Sequence, residues 1–380
     1  MPVLPLYAAS FGASSSITGL YLSVIYVSIT LSTILTGWLG LKLGRKRLYI
    51  ISAAIGTPAL ALMGQANALW QVVILTAVVW FSGGICMALV NIFTGLYAGS
   101  ENRGRWFSVI SLGSPLGAIA GGLTAGVLIE ISGYSLMFFV ISLVWATGPL
   151  LAAVKLVDLS GPAPHPPDLS DPPASTMRRE RAPLLMLMGA ILLSMTTVNI
   201  GRLVVPLLMD SLQYSAGDVT TANAIAGMFT LPFAYFLGTL SDRLGRKTVL
   251  SLGYLLAGGS VVILIVAGPL WHFWLATSLL MISLTVTGSV ASAFATDLLS
   301  PQVLVRVLPW FTAVGFVAGV IGFSVAGVLI DSIGMTALLG FTTVLALLAC
   351  ALIWPLHCEK QIAALFEPAW TCDISMRATK

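Results

Sequence analysis

Gly37-Trp38-Leu39-Gly40-Leu41-Lys42-Leu43-Gly44-Arg45-Lys46 returns later in the chain as Gly238-Thr239-Leu240-Ser241-Asp242-Arg243-Leu244-Gly245-Arg246-Lys247. The copies stand 238 − 37 = 201 residues apart, and the same offset relates Pro5-Leu6 to Pro206-Leu207. It also relates Gly126-Val127-Leu128-Ile129-Glu130 to Gly327-Val328-Leu329-Ile330-Asp331. One spacing kept over most of the chain means that two homologous units lie in tandem.

Those units are built for lipid. The 380 residues are 58% hydrophobic and 8% charged, with a mean hydropathy of +0.99. A soluble domain carries about 25% charged residues, so that class is excluded. A bilayer core needs about 20 apolar residues per helix. Apolar runs fall at 17–38, 48–66, 70–97, 106–131 and 134–156, then at 184–208, 216–239, 248–268, 271–297, 307–331 and 335–355. They are too long for strands and lack period-two alternation. The expected fold class is an all-α polytopic membrane protein of about eleven helices.

The expected organisation is a first bundle over 1–157, a linker over 158–183, a second bundle over 184–356 and a tail over 357–380. The linker holds seven prolines with Arg178, Arg179 and Arg181, which makes it too polar for lipid. Placing both signature loops in the cytosol puts there Lys42, Arg45, Lys46, Arg47, Arg103, Arg105, Lys155, the linker arginines, Arg243, Arg246, Lys247, Arg306, Lys360, Arg377 and Lys380. That set is all but one of the 18 Lys and Arg residues, and the exception is Arg202. Such asymmetry orients the chain, with linker and tail also cytosolic. The basic excess (+4) is accounted for by these loops, so no nucleic-acid partner is expected. The offset also implies an opening helix that the first half largely lacks, because only four residues precede Pro5. A late start codon, a fragment and a true eleven-span variant are the three explanations.

The pattern Gly-x-Leu-x-Asp-Arg-x-Gly-Arg-Lys resembles the loop signature of the major facilitator superfamily of transporters. Gly238, Asp242, Arg243, Gly245, Arg246 and Lys247 match it, and Arg103-Gly104-Arg105 and Pro5-Leu6-Tyr7 are similar to other family landmarks. The resemblance implies two pseudo-symmetric six-helix bundles around a central cavity that opens alternately to each side. It implies that the signature acid and arginine hold helix ends together in one state, with a further acid at Asp297. The first copy, with Gly37, Gly44, Arg45 and Lys46, departs from it: Leu41 replaces the acid, and Leu96 stands at the offset position of Asp297. An ionic latch lost as a unit from the first half is therefore expected. Glycines at Gly37, Gly44, Gly238 and Gly245 are expected to permit a tight turn.

Charge within a membrane span is costly and marks functional candidates. Arg202 is the clear case, following Thr196 and Asn199 at three-residue steps. It either faces inward to an anionic or carbonyl-bearing substrate or snorkels to the headgroups. Thr285, Ser289 and Ser292 share one helical face, as do Asn91 and Thr94. The resemblance makes these faces cavity walls; interhelical hydrogen bonding is the alternative. Tyr235 is a further candidate. Gly113, Gly117 and Gly121, echoed by Gly315, Gly319 and Gly322, read as close-packing positions. The stretch from Gly113-Ser114-Pro115 to Gly121-Gly122 is loosely similar to a drug/proton antiporter motif, with Pro115 displaced.

The expected function is secondary active transport, as proton-linked efflux of amphipathic compounds. Uptake of a sugar or organic anion, and a non-transporting homologue, are the alternatives. The partners are a small-molecule substrate, protons and the bilayer of the inner membrane, and a monomer is expected. No metal-spaced His/Cys cluster or phosphate loop appears, so neither an enzyme nor a cofactor or metal is implied. Cys86, Cys350, Cys358 and Cys372 read as free thiols.

Overall fold

The computed structural model describes residues 2–97, 106, 109–156 and 174–356. Within them the chain forms eleven helices: α1 (Val3–Ala9), α2 (Ser15–Leu43), α3 (Arg45–Met63), α4 (Leu69–Tyr97), α5 (Gly113–Lys155), α6 (Ala174–Ser211), α7 (Ala216–Leu244), α8 (Arg246–Ile265), α9 (Leu270–Leu298), α10 (Pro301–Ile333) and α11 (Met335–Ile353). Helix α5 is two arms, because Ser132 and Gly133 leave helical geometry and fold it back. That is where the apolar runs 106–131 and 134–156 meet. Among the described residues, eight helices are long and apolar enough to cross a bilayer.

The duplication is written in the backbone. Among the described residues six have positive φ, and they form three pairs at the 201 offset: Gly12 with Gln213, Gly44 with Gly245, and Gly133 with Gly334. Each ends one helix and aims the next, a geometry glycine adopts without steric cost. Ser14 and Ser215 cap α2 and α7 in the same way, each hydroxyl accepting a backbone N–H three residues on. The bounds of α2 and α4 reappear at the same offset in α7 and α9. Helix α6 starts at Ala174, within the stretch read as linker, because Ala174–Ala182 is rich in helix-compatible residues although too polar to count as a span.

The helices pack as two groups, α2 to α5 and α6 to α11, which meet along two seams, α2 with α10 and α5 with α7, and α1 lies between them against α2, α6 and α7. We call the end bearing Gly44 and Gly245 the signature end and the opposite one the far end. At the far end a single buried core unites both groups, from Leu4, Tyr21 and Met63 to Leu203, Phe273 and Phe323. At the signature end the buried side chains fall into two separate cores. The second group has a large one around Leu187, Tyr254 and Phe294, and the first has Leu48, Ile85, Leu89 and Phe93. Among the described residues the buried core thus joins the halves at one end and is divided at the other.

Close backbone approach closes the far end. A Cβ on Gly19 would lie 2.3 Å from the Phe323 carbonyl oxygen, and one on Gly327 would lie 2.4 Å from that of Ser15. In the other seam, one on Gly126 would lie 2.6 Å from the Gly217 Cα. The expected packing positions Gly113, Gly117, Gly121 and Gly315 meet nothing within 4 Å. The seam runs one face over, through Gly122 and Gly126, because the α5–α7 contact is set by those positions and not by the four-residue glycine step.

Two carboxylates finish the far end. Asp331 accepts from the Ser16 N–H at 2.8 Å and from its hydroxyl at 2.6 Å, so an acid of α10 lies on the first turn of α2. Glu130 at the end of the first arm of α5 lies against Gly217 in the first turn of α7. The two acids are related by the repeat, and each faces the positive end of a helix dipole in the other half.

Candidate functional site

Thr196, Asn199 and Arg202 descend one side of α6 at three-residue steps, and the fold brings a residue of the first half to meet them. Asn199 is 2% exposed. Its amide nitrogen donates to the Met195 carbonyl at 2.8 Å, and its Oδ1 accepts from the Tyr26 hydroxyl at 2.8 Å. The same hydroxyl accepts from Arg202 Nη1 at 3.2 Å. Tyr26 belongs to α2, so one phenol orders two polar side chains of the opposite bundle. Its ring sits against Gly319, where a Cβ would be 2.3 Å away, and lies 5.5 Å from the Phe323 ring. Gly322 makes room for Asn199 and for the backbone of the buried Thr196. Glycines that read as helix-packing positions thus seat this network.

Tyr26 escaped the sequence reading. The available signal was a tyrosine in the middle of an apolar run, the second there after Tyr21, whose hydroxyl must find a partner.

Arg202 borders a small pocket between the halves, with a free volume of about 40 Å³. Asn223 of α7 and Thr277 of α9 supply its other polar atoms, and Leu22, Leu280 and Phe323 are among its apolar walls. Among the described residues, Thr277 Oγ1 is a buried hydroxyl with no hydrogen-bond partner. Leaving such a group unsatisfied costs about 1–3 kcal/mol.

The other wall candidates lie elsewhere. Thr94 lines a cavity of about 520 Å³ and Asn91 one of about 480 Å³, both in the first half between α3, α4 and α5. Thr285 and Ser289 on α9 spend their hydroxyls on carbonyls of their own helix, at 2.9 Å and 2.7 Å, and Ser292 is half-buried on the next turn. Tyr235, Gly238 and Asp242 fall on α7, and their side chains lie outside the described residues.

At the signature end of the second half, Arg246 Nη1 lies 3.0 Å from Asp297 Oδ1. It also donates to the Ala293 carbonyl at 2.6 Å and to the Thr296 hydroxyl at 3.2 Å. The guanidinium therefore sits at the C-terminal turns of α9, where the dipole favours a cation. Neighbouring Lys247 donates to the Trp354 carbonyl, tying α8 to the end of α11. Arg243 is exposed on the last turn of α7. In the first half, Lys42 stacks on Trp38 within α2, and the Arg45 stem packs beside Gly40. Lys46 is half-buried in the first turn of α3. Leu41, in the acid position, is 80% exposed. Gly44 and Gly245 make the tight turns; Gly37 lies inside α2 with open space around it, so no turn explains it.

Comparison with known proteins gives concordant matches. The family model described as Major Facilitator Superfamily matches residues 1–201 and 186–361. The Multidrug resistance protein MdtG of Proteus mirabilis (strain HI4320) is 22% identical over 357 residues, covering 90% of this chain and 87% of that protein. The MdtG of Salmonella typhimurium is 26% identical over 278 residues, covering 70% and 67%. Among solved structures, a mutant of peptide transporter POT superposes with a TM-score of 0.72 at 16% identity, covering 93% of this chain and 89% of the other. The same mutant in complex with alafosfalin gives 0.71 at 16% identity, covering 97% and 92%.

Proposed function

The chain belongs to the Major Facilitator Superfamily and is a secondary transporter, and from that premise we propose that it exports amphipathic small molecules from the cytosol by alternating access. The observation that carries this reading is the division of the buried core. One core joins the halves at the far end and two stand apart at the signature end, as expected of a molecule caught open to one side. With the basic signature loops in the cytosol, that side is the inside of the cell and the membrane is the inner one. Export is favoured by the multidrug resistance proteins among its relatives.

Alternation needs a far end that closes firmly and still reopens. Backbone packing at the glycine seams lets the halves approach closely there, alongside the shared core. Export is proton-linked in this reading, and Glu130 and Asp331 sit on the opposing helix N-termini and help to hold the far end closed. Arg246 with Asp297 keeps the signature end of the second half a single body while the halves rock. The network of Tyr26, Asn199 and Arg202 lies where the halves touch and forms the polar part of the substrate site.

Reconstitution tests the reading. Proteoliposomes loaded with a fluorescent amphipathic dye are given an imposed pH gradient. Accelerated dye movement that a protonophore abolishes is the expected result. Movement indifferent to the gradient overturns proton linkage, and no movement at all favours a non-transporting homologue.

A further inference from the structure

We propose that the pocket beside Arg202 is an oxyanion subsite: it takes a carboxylate or sulfonate at the polar end of the substrate, with Arg202 and Thr277 as donors and Tyr26 as the positioning residue. The proposal rests on the pocket being part of the substrate site.

Size comes first. The pocket, about 40 Å³, is less than a tenth the size of the cavity of about 520 Å³ in the first half. It accommodates a head group of a few atoms and not a drug-sized body. The apolar body of an amphipath has Leu22, Leu280 and Phe323 to lie against at the same place.

Donor chemistry decides which head group. A guanidinium only donates, in a planar fork that matches the two oxygens of a carboxylate or a face of a sulfonate. Thr277 lines the same pocket, and its buried Oγ1, which has no partner, is available to an acceptor that comes within reach. Asn223 presents an amide at the same wall. A cationic head group would meet the positive guanidinium within apolar walls, where like-charge repulsion is weakly screened. An oxyanion meets donors and opposite charge together.

Tyr26 gives the fork its direction. Its hydroxyl donates to Asn199 and accepts from Arg202, which holds the guanidinium by one edge. Asn199 is anchored in turn on the Met195 carbonyl, and Gly319 leaves the ring one place to sit. Because Tyr26 comes from α2 and Arg202 from α6, the subsite is complete only when the halves meet.

A matched pair of dyes tests this on the full-length protein in lipid nanodiscs. Anilinonaphthalene sulfonate carries the anion, and phenylnaphthylamine is the same ring system without it. Equilibrium dialysis, with empty nanodiscs subtracted, reads the affinity for each. Wild type is expected to prefer the sulfonate, and Arg202→Gln to lose about tenfold or more of that preference. Tyr26→Phe keeps the ring and is expected to weaken the sulfonate several-fold with little effect on the neutral dye. Thr277→Val is expected to do the same more weakly, and it reports even where a change at Arg202 prevents folding. Equal losses for both dyes in Tyr26→Phe mean packing and overturn its positioning role. A preference that survives Arg202→Gln, or no preference in wild type, overturns the subsite. Dye efflux in proteoliposomes is judged separately, so failure of the transporter reading and failure of the subsite are told apart.

Discussion

Phe93 and Phe294 hold the same place in the two repeats, and their surroundings differ. Phe294 is sealed in a core that Leu187, Ala190, Ile191 and Met195 of α6 complete. Among the described residues, Phe93 belongs to a cluster of four buried residues and lines the cavity of about 520 Å³. At the far end the same repeats are nearly interchangeable, with paired glycine contacts and paired carboxylates on opposing helix starts. The duplication has been kept where the halves must meet each other. It has diverged where each half must hold itself together, and a transporter tolerates this because the moving contact and the internal packing are separate tasks.

If the far end is symmetric, equivalent damage must give equivalent loss. Gly126→Val and Gly327→Val each place an isopropyl group where a single carbon is already 2.6 Å or 2.4 Å from backbone atoms. Neither seam can then close. Labelling of a Ser23→Cys reporter by a membrane-impermeant maleimide, with the native cysteines replaced, is expected to rise more than about tenfold in both variants. Dye transport is expected to fall by a similar factor. A large effect in one seam alone breaks the symmetry.

The signature ends must answer unequally. Phe294→Ala empties a closed core and is expected to cost about 3–5 kcal/mol of stability. Phe93→Ala enlarges a cavity that already exists, and less than half that loss is expected. Unfolding midpoints in mixed detergent micelles compare the two variants directly. Equal losses would mean that the two ends are packed alike, against the comparison drawn above.

The constant offset made the repeat legible before any coordinates, and the positive-φ pairs are its structural trace. Span positions were legible because lipid demands long apolar runs. Helix ends were not, since α2 and α6 continue through polar residues that no hydropathy window counts. At the site, Arg202 and Asn199 stood out as polar residues within apolar runs. Tyr26 and Thr277 did not, because a tyrosine or threonine in lipid is unremarkable until its partner, or its lack of one, is seen. The glycine seam was legible in kind but not in register: which face of α5 meets α7 depends on the other half, and no feature within α5 encodes it.

The smallest expected effect concerns the latch. The second half pairs Arg246 with Asp297; the first keeps Arg45 and carries Leu96 and Leu41 at the two acid positions. Among the described side chains Asp297, at the end of α9, reaches the guanidinium. The corresponding change is Leu96→Asp at the end of α4, whereas Leu41→Asp falls on a position of α2 that is 80% exposed. Both partners of the existing pair are about 30% exposed, and pairs of that kind are worth roughly 0.2–1 kcal/mol. Leu96→Asp is expected to raise the thermal midpoint by one or two degrees at most, Leu41→Asp to leave it unchanged, and the double variant to match the first. Asp297→Asn is expected to lower it by a comparable amount. If only the double variant gains stability, the two acids act as one device and were lost together. If Leu96→Asp suffices, the device is the arginine with the acid at the end of the neighbouring helix, and the change at Leu41 is a separate event.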